Sequence, residues 1–442
     1  MMRINLTDNI TKIDKSYTFN RSDIAALFPI ADKTIEKLCS ENENLLVFPH
    51  CISMSDDKIG ESSIMNLMNT DDPQKVFITT GNVMGFIGIK NIQVKIKSRF
   101  DVGRDDFLLH YMLQKVLSFN MFNLNHNNEQ EDIFDFIMFM FPFLLKSALK
   151  QGLYREYQNY EHNGVNVRGT INIGRHIARN LPFTGNFAYS TREYSSDNNM
   201  TELIRHTIEF MKTRKYGQSV LSIDRETIDN VKNIVDHTPL YDKKDRERII
   251  NKNLRIKTHP YYTEYRPLQT LCIQILRMEE IKYGEASDEI CGILFDGAWL
   301  WEEYVNTILR SEGFVHPENK TRKGRIHLFE DNSGVRYPDF YKDDFVLDAK
   351  YKRFGNYEKV SMVNRDDVHQ IITYMTNLRA SKGGFVVPLE DKQEKVPMAR
   401  LKNSSSTLSI YGIKISKTAS SYANFCEKME QLELDFIKSL SL

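Results

Sequence analysis

Two aspartates and a lysine late in the chain have the types and spacing to share one reaction. Residues 335–353 read Val-Arg-Tyr-Pro-Asp-Phe-Tyr-Lys-Asp-Asp-Phe-Val-Leu-Asp-Ala-Lys-Tyr-Lys-Arg, two β-prone runs around the polar turn Lys342-Asp343-Asp344. With the turn centred on Asp343-Asp344, Lys342 faces Phe345, Tyr341 faces Val346, Phe340 faces Leu347 and Asp339 faces Asp348. The two aspartates then share a sheet face, with Cβ atoms roughly 5 Å apart. Like charges opposed across a ladder destabilise it, and each carboxylate raises the other's pKa. A divalent cation between them reverses both penalties, so the pair reads as a hard-cation site with oxygen ligands. Lys350 shares the face of Asp348 while Ala349 points the other way. An ammonium there can orient a water and stabilise charge building on a reacting phosphate. The set suits metal-assisted phosphodiester hydrolysis.

A third acid is expected from a nearby helix, and Trp301-Glu302-Glu303-Tyr304-Val305 offers two. At 3.6 residues per turn, Trp301, Tyr304, Val305, Ile308 and Leu309 form the apolar stripe. Glu302 borders that stripe and is read as the inward acid; Glu303 is read as a surface residue. An acid-x-Lys triplet alone is weak, since Asp242-Lys243-Lys244 and Glu390-Asp391-Lys392 also fit it. The competing reading of Asp348-Ala349-Lys350 is an ordinary hairpin with charges on its exposed face. Its apolar strand setting, with Pro338-Asp339 at hairpin distance, favours a site.

Three regions must carry these residues. Residues 1–125 read as a β-rich domain, with strand alternation in Ile92-Gln93-Val94-Lys95-Ile96-Lys97. Two short helices precede it, Arg21–Leu27 and Lys33–Cys39, which could form a helix-turn-helix. Residues 126–285 read as mostly helical, from the spacing in Ile133–Gln151 and Thr201–Thr213, with a polar, glycine-containing stretch Glu161–Asn199 between. Asp242–Lys257, charged on nearly every turn, reads as a solvated helix face. Residues 286–442 alternate: helix Asp296–Glu312 closed by Gly313, strands within Val335–Tyr351, helix Val368–Leu378, strands Gly384–Leu389 and Thr407–Ile415, helix Tyr422–Leu440. This predicts an α+β or α/β multidomain chain ending in a mixed sheet flanked by helices.

Composition allows two or three domains in 442 residues and sets 59 basic against 59 acidic residues, so any nucleic-acid contact must be a local basic strip. Lys352, Arg353, Arg322 and Lys323 are candidates for phosphate contact. The five scattered cysteines predict a reducing compartment and no structural zinc. The first residues do not resemble a signal peptide, and no apolar run is long enough to span a bilayer; a cytoplasmic protein is expected.

Pro338-Asp339 with Asp348-Ala349-Lys350 resembles the PD-(D/E)XK nuclease signature, and Gln370-Ile-Ile-Thr-Tyr374 resembles the Gln-x-x-x-Tyr motif of its RecB-like branch. Leu300-Trp-Glu-Glu-Tyr-Val305 resembles the pre-nuclease helix of the McrC family, the nuclease subunit of McrBC-type restriction systems. Gly152-Leu-Tyr-Arg-Glu-Tyr157 with Val167-Arg-Gly-Thr-Ile171 resembles that family's central signature. Gly85-Phe-Ile-Gly-Ile89 with Val94-Lys-Ile-Lys97 resembles its N-terminal region, although Lys95-Ile96-Lys97 stands where the family usually has Pro-Lys. The resemblance implies a PD-(D/E)XK restriction-endonuclease-like domain and a Mg²⁺-dependent endodeoxyribonuclease, Mn²⁺ being a possible substitute. It implies Asp339, Asp348, the Ala349 carbonyl and Glu302 as metal ligands, Lys350 as the residue positioning water, and Gln370 and Tyr374 in support. It also implies double-stranded DNA as substrate and a McrB-like AAA+ GTPase hexamer as partner, contacted by the N-terminal domain. The chain has no Gly-x-x-x-x-Gly-Lys-Ser/Thr phosphate loop of its own, which fits a separate motor. The alternatives are a catalytically silent adaptor that activates an NTPase partner, and a repair nuclease of the same fold.

Overall fold

Alternation in Ile92–Lys97 makes a strand whose Ile92, Val94 and Ile96 are buried and whose Lys95 and Lys97 are half-buried. In a computed structural model of the protein this strand lies parallel to Met2–Thr7 and antiparallel to Val83–Ile89. The structure describes residues 2–11, 16–42, 45–49, 58–89, 92–101, 106–117, 129–214, 217–255, 259–283, 290–317, 324–353, 360, 363–390 and 397–440. The Lys90-Asn91 break, Cys51 and the basic candidates Arg322 and Lys323 lie outside them.

The chain divides into two compact units, one of residues 1–127 with 288–442 and one of residues 128–287. Strand Ile290–Asp296 belongs to the sheet of the first region: it pairs antiparallel with Val83–Ile89 and parallel with Leu45–Phe48. Two glycines permit the close approach. A Cβ on Gly85 would meet the Ile293 carbonyl oxygen at 2.2 Å, and one on Gly292 the Phe86 carbonyl oxygen at 2.5 Å. The short helices Arg21–Leu27 and Ile35–Glu41 turn Ile24, Leu27, Ile35 and Leu38 into the same core.

The second sheet of this unit runs in the order Phe340–Lys342, Phe345–Ala349, Lys382–Leu389, Thr407–Lys414, Met398–Arg400. Its three central strands are parallel and its two edges antiparallel. Helix Arg365–Leu378 connects the first two parallel strands and buries Ile371, Tyr374 and Met375 against Val346, Phe385 and Val387. Helix Tyr422–Leu440 packs against Thr407–Lys414.

The other unit is helical, as expected, over Glu129–Lys150, Asn199–Lys212, Arg225–Asp236, Arg246–Asn253 and Tyr265–Tyr283. Asn198 opens Asn199–Lys212 with a capping box completed by Thr201. The polar stretch Glu161–Asn199 is more ordered than its composition suggests. Glu156–Gly164 and Phe187–Ser195 pair antiparallel, with Thr170–Ile171 on the other side of the latter. Ile173, Ile177, Leu181 and Phe183 stand exposed beside this sheet.

Candidate active site

The hairpin ladder runs Phe340↔Leu347, Tyr341↔Val346, Lys342↔Phe345 around Asp343, whose φ of 45° closes the turn. Asp339 lies just before the last pair of this ladder and Asp348 just after it, and alternation assigns both to the face on which Tyr341 and Val346 join the core with helix Arg365–Leu378. The Ala349 amide donates to Asp339 Oδ2 at 2.7 Å, so the Asp339 carboxylate is drawn onto the neighbouring strand. Asp348 is 1% exposed. Its Oδ2 faces the Lys350 ammonium at 2.7 Å, and its Oδ1 has no hydrogen-bond partner among the described residues. The Lys350 amide donates to the Val386 carbonyl at 2.9 Å and holds the lysine in the strand register.

Helix Gly297–Leu309 is capped by Asp296, whose carboxylate accepts from the Ala298 amide, and it buries the predicted stripe from Trp301 to Leu309. Glu302 and Glu303 are similarly placed, with side chains 35% and 31% exposed. Both approach His316 Nε2, at 3.9 and 3.8 Å. The reading of Glu303 as a surface residue is therefore corrected: the segment after the helix folds back, and its histidine lies against both acids. A bridge between Val315 and Tyr341 fixes that return. His316 Nδ1 then donates to the Asp339 carbonyl at 2.7 Å, and its ring stacks on Phe340.

The electrostatics are those of crowded acids. Burial, then the Asp339 charge, pushes Asp348 up to about 8. Burial, then Glu302, pushes Asp339 up to about 7. Glu302 rises to about 7 through burial, with Glu303 and Asp348 adding to it against His316. Burial alone would lower His316, but Glu303, the Asp339 carbonyl and Glu302 outweigh it and raise it to about 9. Burial likewise opposes the Lys350 charge, and Asp348 and Asp339 overcome it, so the ammonium is held above its ordinary range. Among the described residues no three His, Cys, Asp or Glu side chains already converge on one point. The donor chemistry nevertheless fits a hard cation: the Asp339 charge bears on Asp348, and one Asp348 oxygen is buried with no partner among the described residues.

A family model describing the McrBC 5-methylcytosine restriction system component matches residues 78–388, well over half of the chain. The chain belongs to this family. No curated protein matches it. Among solved structures, this McrBC-family chain resembles one in the refined half-complex of the tetradecameric assembly of Thermococcus gammatolerans McrB AAA+ hexamers with bound McrC. The TM-score is 0.52 at 15% identity, covering 100% of this chain and 99% of that one, a likeness of fold. A chain of the Thermococcus gammatolerans McrBC complex matches at TM-score 0.32 and 15% identity, over 70% of this chain and 87% of that one.

In the McrBC-family chain Gln370 and Tyr374 lie on the helix face turned to the site. Gln370 Nε2 donates to the Tyr374 hydroxyl at 2.9 Å, and the Lys350 ammonium lies 3.5 Å from Gln370 Oε1. The phosphate candidates Lys352 and Arg353 are engaged within the protein, Lys352 with Asp367 at 2.7 Å and Arg353 with Glu390 at 2.9 Å. Two residues of the cluster were not singled out from sequence. Asp367 is buried and also lies 3.5 Å from Lys350. Its signal was available, because Asp367, Gln370 and Tyr374 follow helical spacing. His316 had none, since only the folded-back segment brings it to the acids.

Proposed function

We propose that this chain is the metal-dependent endodeoxyribonuclease subunit of a McrBC-type restriction system, with a PD-(D/E)XK site that hydrolyses phosphodiester bonds of double-stranded DNA. The observation that carries the reading is the buried Asp348 carboxylate, with one oxygen on Lys350, the other without a hydrogen-bond partner among the described residues, and the Asp339 charge close enough to raise its pKa. Such a pair is unfavourable without a cation and favourable with one. Asp339, Asp348 and the Ala349 carbonyl would hold Mg²⁺, or Mn²⁺ in its place, with Glu302 as a further ligand. The ion, when bound, supplies charge to neutralise the scissile phosphate and lowers the pKa of its water.

The chain's own groups do the rest. Lys350 orients the attacking water, whose oxygen bonds to phosphorus as the bond to the leaving oxygen breaks. Gln370 keeps the Lys350 ammonium over Asp348, and Tyr374 keeps Gln370 in place. Family membership and the likeness to a chain from an assembly of McrB hexamers with McrC support a partner of the AAA+ GTPase type.

The test uses the full chain with its AAA+ partner, plasmid DNA and Mg²⁺. Asp348→Ala and Lys350→Ala are each expected to reduce cleavage roughly 100-fold or more. Undiminished cleavage by both variants would reject the site, and no Mg²⁺-dependent cleavage by the unaltered chain with its partner would leave the adaptor reading.

A further inference from the structure

The two elements that carry the acidic site meet at one arginine of the N-terminal sheet region. Tyr351 directly follows Lys350. Its carbonyl accepts from an Arg99 guanidinium nitrogen at 2.8 Å, and the guanidinium lies 4.6 Å from the centre of its ring. The Tyr351 hydroxyl is 2.7 Å from Ser98 Oγ, so the same short segment holds both ends of the tyrosine. Arg353 reaches back to the Arg99 carbonyl.

The same guanidinium nitrogen donates to Asn82 Oδ1 at 2.6 Å. The Asn82 side-chain amide in turn donates to Asp296 Oδ1 at 3.1 Å, and the Asn82 carbonyl accepts from the Gly297 amide at 2.8 Å. Asp296 is the cap of the helix that carries Glu302. Arg99 thus touches the Lys350 strand directly and the Glu302 helix through Asn82.

Arg99 is held for this task. It is 7% exposed, its amide donates to Asp8 Oδ1 at 2.5 Å, and its guanidinium lies 3.4 Å from Asp8 Oδ2. A guanidinium suits a site that needs several donors in fixed directions; an ammonium has the charge without the planar fork.

We propose that Arg99, anchored by Asp8, is a positioning residue that sets the Glu302 helix and the Asp348–Lys350 strand at their working separation. It makes no contact with the reacting atoms. The proposal rests on the nuclease reading above and names the residue that fixes that site's geometry. A displacement of about 1 Å between two halves of a catalytic site costs roughly 100-fold in rate, which is the scale at stake.

The experiment measures DNA cleavage by the full chain with its AAA+ partner, alongside calorimetric Mg²⁺ titration and thermal unfolding. Arg99→Lys and Asn82→Ala are compared with Thr80→Val. Thr80 is a buried residue of the same unit whose hydroxyl bonds the Thr7 carbonyl and the Ile10 amide. Arg99→Lys is expected to lower kcat roughly 10- to 100-fold, leave KM for DNA unchanged and weaken Mg²⁺ binding. Asn82→Ala should do the same more mildly, and it carries the test if Arg99→Lys does not fold. Thr80→Val should lose melting temperature but not kcat per folded molecule. Equal kcat losses in Arg99→Lys and Thr80→Val would overturn the proposal, as would wild-type kcat and Mg²⁺ binding in Arg99→Lys and Asn82→Ala. If Asp348→Ala cuts like the wild type, the nuclease reading fails and takes this one with it. If Asp348→Ala is inactive and Arg99→Lys is not impaired, only the positioning role falls.

Discussion

Asp339 keeps one oxygen on the Ala349 amide at 2.7 Å while burial and the Glu302 charge raise its carboxyl to about 7. Between the ordinary value of 3.8 and about 7, the folded protein therefore holds a proton that the unfolded chain has released. Stability falls with rising pH across such a window, because the native state binds more protons. Asparagine cannot ionise, yet its amide oxygen can still accept from Ala349. In metal-free buffer, the melting temperature of Asp339→Asn should gain on the wild type as pH rises through that window, then hold its lead. Mg²⁺ should reverse the order at pH 8, since the wild type keeps the Asp339 carboxylate and should bind it more tightly. A margin that stays flat with pH would show that Asp339 is ionised without a cation.

Helix Gly297–Leu309 begins where a side chain has no room. A Cβ on Gly297 would lie 2.8 Å from Tyr351 Cε1, and Tyr351 is itself buried against Phe100 and Trp301. Glycine to alanine in an open helix gains up to about 1 kcal/mol. Here the ring must move, and overpacking of a filled core costs about 1–3 kcal/mol, so the clash wins. Gly297→Ala should lower stability in denaturant unfolding and reduce cleavage, because Tyr351 adjoins Lys350. An unchanged or raised midpoint would mean that the ring yields freely. Helix Arg365–Leu378 illustrates the opposite case, a start that local chemistry defines: the Asn364 side chain accepts from the Asp366 amide, and Arg379 closes the other end at φ 56°.

At the level of the molecule, the first and last regions of the chain form one unit. Strand Ile290–Asp296 lies between Val83–Ile89 and Leu45–Phe48, and its last residue caps the Glu302 helix. Residues 286–442 made alone would leave both edges of that strand unpaired and would expose Ile293, Leu294 and Phe295, all fully buried here. That fragment is expected to aggregate when expressed by itself and to become soluble when residues 1–127 are co-expressed. A soluble fragment with a cooperative thermal transition of its own would show that the late region folds independently.

Much of this was written locally. Turn-centred pairing around Asp343-Asp344 matches the three observed ladder pairs, from Lys342↔Phe345 to Phe340↔Leu347, because a hairpin's register depends on its loop and on period-two alternation. The stripe Trp301–Leu309 and helix Tyr422–Leu440 were equally legible, since burial follows a 3.6-residue period. The polar composition of Glu161–Asn199 hid its strands, because Glu156–Gly164 buries neither face fully and carries polar residues on both. Tertiary structure alone decided what else meets: His316 against Glu302 and Glu303, and Arg99 against Tyr351 some 250 residues away. Periodicity tells a residue which way to face; only closure of the chain settles what it faces.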